Sequence, residues 1–168
     1  MTRRPLALAA LIATSACAAP RPNAPADPAP PAAESAEILS TVAALFDAMA
    51  SRDTTALARL VTRDGVFAVI VIEGDSVTRV AHQSLGGFIT SIGQPGPRLL
   101  ERAWASRVMI DGPFATVWTP YDFHVGDRFS HCGTDVFTLA KVDGAWRITG
   151  GSYTIQPQGC APSPLGAP

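Results

Sequence analysis

The stretch His131-Cys132-Gly133-Thr134-Asp135-Val136-Phe137-Thr138-Leu139-Ala140-Lys141-Val142-Asp143-Gly144-Ala145-Trp146-Arg147-Ile148 reads as strand, turn, strand. Val, Phe, Thr, Trp and Ile suit a pleated, half-buried surface. Asp-Gly suits a two-residue hairpin, whose central residues need positive φ. Working outward, the two strands extend over Arg128–Val142 and Ala145–Gln156. The same punctuation recurs upstream, where Gly126-Asp127 and Asp111-Gly112 bound Phe114–Val125 and Leu99–Ile110. The C-terminal half is therefore expected to be an antiparallel meander of long strands.

The preceding residues have a different texture. Ile38, Val42, Leu45, Phe46 and Met49 recur at helical spacing over Glu34 to Ser51, which predicts one apolar stripe. Asp53 stands as an N-cap for a short second helix carrying Leu57, Leu60 and Val61, with Asp64-Gly65 as its stop. Val66 to Ile72 is a β-branched apolar run expected to be buried on both faces, and Glu73-Gly74-Asp75 turns it into a shorter strand, Ser76 to Val80. Leu85, Phe88, Ile89 and Ile92 form a third helical stripe in which Gly86 and Gly87 call for close packing or local mobility. His82, just ahead of it, reads as a capping or loop residue. Helices first and a meander afterwards is an α+β arrangement.

This order of elements, closing on Gly144-Ala145-Trp146-Arg147-Ile148, resembles the nuclear transport factor 2-like superfamily. The run His131–Leu139 followed by Lys141-Val142-Asp143-Gly144 and Trp146 is similar to its SnoaL-like members, above all to the subgroup named for lumazine binding. The resemblance covers Glu34 to about Gln156. It implies a cone-shaped fold with three N-terminal helices packed on a curved antiparallel sheet. It also implies a pocket inside the cone and, in some relatives, a homodimer formed through the outer sheet face.

Two-residue turns set an expected register. Counting from Gly126-Asp127 places Asp122 opposite His131 and Trp118 opposite Asp135. Counting from Asp143-Gly144 pairs Leu139 with Ile148, Asp135 with Ser152 and His131 with Gln156. Counting from Asp111-Gly112 puts Glu101 beside Asp122. One face would then present Glu101, Trp118, Asp122, His124, His131, Asp135, Ser152 and Thr154 as a ligand pocket. The other would carry Arg102, Trp104, Tyr121, Phe123, Cys132 and Tyr153.

Asp122 and His131 are the candidate catalytic pair, because a carboxylate in an apolar pocket beside an imidazole can move a proton. Against that stands a non-catalytic polar cluster that satisfies buried groups. No H-x-x-x-H, C-x-x-C or G-x-S-x-G pattern occurs, so neither a metal nor a cofactor is expected. The leading expectation is a binding domain for a small apolar or aromatic ligand. An isomerase- or cyclase-like enzyme, and an interaction lipoprotein acting through the outer face, are the alternatives.

The ends of the chain speak to location. Arg3 and Arg4 precede an apolar stretch, Leu6 to Ala13, too short to span a bilayer. Thr14-Ser15-Ala16 then leads to Cys17, which resembles a lipobox with Thr14 where Leu is usual. Residues 1–17 are thus expected to be a signal peptide whose cysteine is lipidated, the alternative being ordinary cleavage after Ala18. Residues 18–33 form a spacer with prolines at 20, 22, 25, 28, 30 and 31 that favours extended polyproline II. Residues 34–160 make the domain and 161–168 a flexible tail. The expected address is a periplasm-facing membrane, or secretion. Such a compartment permits a Cys132–Cys160 disulfide, with two free thiols as the alternative. A net charge of −1 over 168 residues leaves no basic patch for nucleic acid.

Overall fold

The computed structural model describes residues 30–168, so Cys17, the signal segment and most of the proline-rich spacer lie outside the described residues. Helix α1 runs Ala32–Ser51 and buries the stripe read from the sequence: Ile38, Val42, Leu45, Phe46 and Met49, with Ala48. It ends at Arg52, held in the left-handed region at φ 56°. That conformation costs a non-glycine residue about 1 kcal/mol. The Arg52 guanidinium compensates by donating to the carbonyls of Ile92 (2.7 Å), Gln94 (2.6 Å) and Pro97 (2.6 Å), which ties the end of α1 to the loop beyond the third helix. Helix α2, Thr54–Leu60, is capped by the Asp53 carboxylate, which accepts from Ala56 N at 2.9 Å.

Strand β1, Val61–Glu73, begins directly after α2 rather than beyond Asp64-Gly65, and turns back into β2, Ser76–Ser84. His82 belongs to β2, opposite Ala68. Ser84 caps α3, Leu85–Ile92, by accepting from Gly87 N at 3.1 Å. The strand expected over Leu99–Ile110 is two, β3 (Leu99–Ala103) and β4 (Arg107–Asp111), broken where Ala105 takes φ 48°. Both pair with β5, Phe114–Val125; β6 (Arg128–Val142) and β7 (Ala145–Ile155) follow.

The sheet is open, in the order β2-β1-β7-β6-β5-β3, with β4 also along β5. Its meander is antiparallel, but β1 joins β7 in parallel, so the sheet is mixed rather than wholly antiparallel. The chain can make that join because α3 and the remaining strands lie between the two. Helix α1 lies on β3, β4 and β7, α3 on β1 and β2, and α2 bridges the other two helices. The core between the layers is built from Phe46, Phe67, Phe88, Phe137, Leu139 and Ile148 among others.

Two bulges decide which side chains face that core. Val125 pairs with Arg128 and His124 with Phe129, but Phe123 then pairs with His131, leaving Ser130 without a partner. Leu139 pairs with Ile148, while Thr138 pairs with Gly150, leaving Thr149 over. Gly150 and Gly151, at φ 148° and 155°, supply backbone freedom at the second bulge, and the carbonyls of Val66 and Val136 stand where their Cβ atoms would be. Because the side-chain period of a strand is two, each one-residue slip turns the chain over to the opposite face.

Candidate functional site

The slip at Ser130 undoes the expected pairing of Asp122 with His131. Asp122 sits opposite Cys132 and His131 opposite Phe123, so the two project from opposite faces of the sheet. On the β3 side the loop is Gly112-Pro113 rather than Asp111-Gly112, since Asp111 pairs with Phe114. The break at Ala105 takes up a further residue, and Glu101 comes to lie opposite Phe123, with Arg102 opposite Asp122. Asp135 pairs with Thr119 and Tyr153 instead of Trp118 and Ser152. Gln156 bridges to Cys132 rather than to His131.

Of the eight residues expected to line a pocket, Glu101, His131 and Asp135 line the cavity between sheet and helices. Trp118, Asp122, His124, Ser152 and Thr154 do not. Tyr121, Phe123 and Tyr153, expected on the outer face, line the cavity instead. The cavity measures ≈ 180 Å³. Helix α1 contributes Leu45, Phe46 and Met49 to its wall, and α3 contributes Phe88, Ser91 and Ile92. Phe67 stands at the centre of an aromatic wall, its ring centroid 5.4 Å from Phe88, 6.1 Å from Phe137 and 5.9 Å from Tyr153. Gln83 and Ser91 also line the cavity, and their side chains meet at 3.4 Å.

The polar end of this cavity is a pair of carboxyls. Burial raises Glu101 well above the usual carboxylate range, and the neighbouring Asp135 carboxyl raises it further. Burial lifts Asp135 to about 7, against a hydrogen bond from Glu101 that favours its charge. Asp135 is 3% exposed, and its Oδ2 has no hydrogen-bond partner among the described residues. Two carboxyls that close in an apolar site cannot both ionise cheaply, so the pair holds a proton near neutrality. Burial and the same two acids push the Tyr121 and Tyr153 hydroxyls up, keeping both protonated. Burial pushes His131 down, toward the neutral imidazole. His131 stacks on Phe123 at 4.9 Å, and its Nδ1 lies 3.0 Å from Ser130 Oγ.

Tyr121 is placed by a glycine. It sits opposite Gly133, and a Cβ there would meet the tyrosine ring and the Thr154 carbonyl. With hydrogen alone at that position, the ring lies across β6 and its hydroxyl donates to Thr154 O at 2.7 Å. Thr154 itself contributes backbone and a hydroxyl, Oγ1 accepting from Thr134 N at 2.8 Å.

Asp122 belongs to a separate outer cluster. Arg102 holds it with two parallel bonds, Nε to Oδ1 at 2.8 Å and Nη2 to Oδ2 at 2.7 Å, and His124 Nε2 lies 3.3 Å from Oδ1. Burial opposes its ionisation, but Arg102, Ser163 and His124 outweigh that and hold the carboxyl below its usual range. A carboxylate so occupied is a weak base, and its distance from the cavity removes the Asp122–His131 pair as a catalytic unit. The segment after β7 covers this cluster. Cys132 and Cys160 are disulfide-bonded, their Cα atoms 6.0 Å apart, and Arg102 Nη2 also donates to Gly166 O at 3.0 Å. The last residues, expected to fray, thus lie against the outer face and line a shallow hollow with Trp104 and His124.

Among the described residues no group of three His, Cys, Asp or Glu side chains is placed to hold a metal ion. The sequence picked Glu101 and Asp135 as residues of one face but not as a pair. Nothing in the sequence marked Ser130 as a bulge, and without it the two strands keep the wrong phase.

The fold recurs widely among solved structures. A protein of unknown function from Mycobacterium tuberculosis is 20% identical, with a TM-score of 0.59 over 72% of this chain and 75% of that one. A nuclear transport factor 2-like protein with a cystatin-like fold from Novosphingobium aromaticivorans is 16% identical, with a TM-score of 0.59 over 73% and 82%. A Streptomyces avermitilis member of that superfamily, described as a "putative dehydratase", is 13% identical, with a TM-score of 0.58 over 73% and 96%. At these identities the likeness shows the fold alone. No curated protein matches the chain. Its residues 33–154 match the family described as "Putative lumazine-binding", and with most of the domain inside that match the chain belongs to this family.

Proposed function

We propose that the protein is an exported, lipid-anchored binding domain that takes one small, ring-shaped apolar ligand into the cavity between α1, α3 and the sheet. The cavity carries the reading: it is lined by aromatic and aliphatic side chains, with a few convergent polar groups at one end, which is the usual make-up of a small-molecule site. Its size suits a single ring, since a cavity of about 150 Å³ holds benzene. The description of the family as lumazine-binding points to a small ligand as well. Residues 1–17, with Arg3, Arg4 and Cys17, support export and anchoring. The disulfide fits an oxidising compartment.

Self-association through the outer face is part of the same proposal. Met109 (68% exposed), Phe114 (46%) and Trp118 (39%) leave an apolar strip on that side of β4 and β5, away from the covered Arg102 cluster. A second reading, proton-transfer catalysis, has one observation in its favour: the Glu101–Asp135 pair holds a proton in an apolar cavity.

Native mass spectrometry of the protein, purified from its membrane fraction without denaturation, tests the proposal. The expected spectrum shows acylated Cys17, a dimer, and one retained small molecule per chain that Ser91→Trp, a ring placed in the cavity wall, abolishes. A retained molecule unaffected by Ser91→Trp would move the site elsewhere. An unacylated chain lacking Cys17 would replace anchoring with simple secretion.

A further inference from the structure

The geometry points to a narrower ligand class: we infer that the cavity selects a ring bearing a cationic N–H group, an amine or amidine, which donates to the Glu101 and Asp135 carboxyls. This rests on the cavity being a binding site, and it says what the polar end of that site is for. Three observations carry it. The first is charge. Two carboxyls line the cavity and, among the described residues, no lysine or arginine does, so no cationic side chain described there offsets them.

The second is an unmet acceptor. Asp135 is 3% exposed and lines the cavity, and its Oδ2 accepts from no group among the described residues. A buried acceptor without a partner costs about 1–3 kcal/mol, which a donor arriving with the ligand would recover. The third is the wall. Phe67, Phe88, Phe137 and Tyr153 present ring faces and edges at centroid distances of 5.4–6.1 Å. Aromatic faces attract a desolvated cation and do nothing for an anion. A carboxylate-bearing ligand meets an acid pair that carries charge of its own sign as soon as either member ionises. A neutral ring without a donor gains apolar burial but leaves Oδ2 as it was, and a neutral donor such as a hydroxyl meets Oδ2 without offsetting the charge of the pair.

Among the described residues, the other ionisable groups lining the cavity are Tyr121, His131 and Tyr153. Tyr121 on β5 and Tyr153 on β7 stay protonated, and His131 on β6 is held toward its neutral form. Arg79 on β2 acts at a distance, through Tyr153. A cationic ligand would therefore displace the proton held by Glu101 and Asp135 to solvent, and its affinity rises with pH until the pair is fully ionised.

Isothermal titration of the purified full chain with three one-ring probes tests this: benzamidine, a cation throughout the range used; benzyl alcohol, neutral; and benzoate, an anion. The expected order at pH 8 is benzamidine tighter than benzyl alcohol by about tenfold or more, with benzoate not binding. The benzamidine affinity is expected to weaken by about tenfold on going to pH 5, with proton release measured in buffers of different ionisation enthalpy. Asp135→Asn and Glu101→Gln should each remove the preference for benzamidine over benzyl alcohol, with circular dichroism and a cooperative thermal transition showing that the variants are folded. If benzyl alcohol binds as tightly as benzamidine, or benzoate binds best, the cation selectivity is wrong and the binding site stands. If none of the three binds, both fall.

Discussion

Asp135 carries a cost that the fold accepts. Its carboxyl is 3% exposed, lifted to about 7 by burial, and shares its end of the cavity with a second acid, Glu101. A group whose folded value lies above its unfolded one binds its proton more tightly in the native state. Its favourable contribution is complete below about 4, the unfolded carboxylate value, and is lost as pH rises from there through about 7. The protein is therefore expected to melt lower at pH 8 than at pH 5, opposite to the usual carboxylate behaviour. Asp135→Asn, isosteric and uncharged, should flatten that slope and raise the melting temperature at pH 8, by a few kcal/mol of stability at most. Calorimetry across the range reads both effects; an unchanged slope in the variant would assign the pH dependence to other groups. Asp122 works in the ordinary sense, since its depressed value stabilises the fold above the unfolded carboxylate value and is lost toward acid.

At the scale of elements, the strands were legible and their phase was not. Asp143-Gly144 takes φ 52° and 80° as a two-residue turn should, and the stripe of α1 and the Asp53 cap lie where hydrophobic spacing and capping chemistry put them. Turn dipeptides fix register only next to the turn. Ser130 and Thr149 are ordinary strand residues in sequence, yet each slips the ladder by one and exchanges the faces beyond it. That is why counting from the turns alone pairs Asp122 with His131 and places Tyr121, Phe123 and Tyr153 on the outer side. The parallel join of β1 to β7 was equally hidden, because no local signal records which distant strand a buried apolar run will meet. Gly133 is the element-level test of the observed phase. Gly133→Ala should cost about 1–3 kcal/mol in chemical denaturation, because its Cβ meets Tyr121 and the Thr154 carbonyl. It should also weaken ligand binding by displacing Tyr121. A fully tolerated alanine would mean that Tyr121 does not cross β6.

Over the whole molecule, the two faces of the sheet have separate work. The inner face meets α1 and α3 around an apolar cavity with one acidic end. The outer face is closed over Arg102, Asp122 and His124 by a C-terminal segment that the Cys132–Cys160 bond ties down. In the chain-entropy picture a loop of 28 residues is worth about 3–4 kcal/mol to a domain of this size. The expected export route and that bond suit each other, since the bond forms where thiols are oxidised. What makes the cavity more than a packing defect is the carboxyl pair, because an apolar void has no need of two acids. Carbon-13 NMR of the side-chain carboxyls of Glu101 and Asp135, followed from acid to alkaline pH in the ligand-free protein, tests this most directly. Both are expected to titrate above the ordinary carboxylate range, in linked steps with one near 7. Titration of both carboxyls at about 4, as in an unfolded chain, would contradict it.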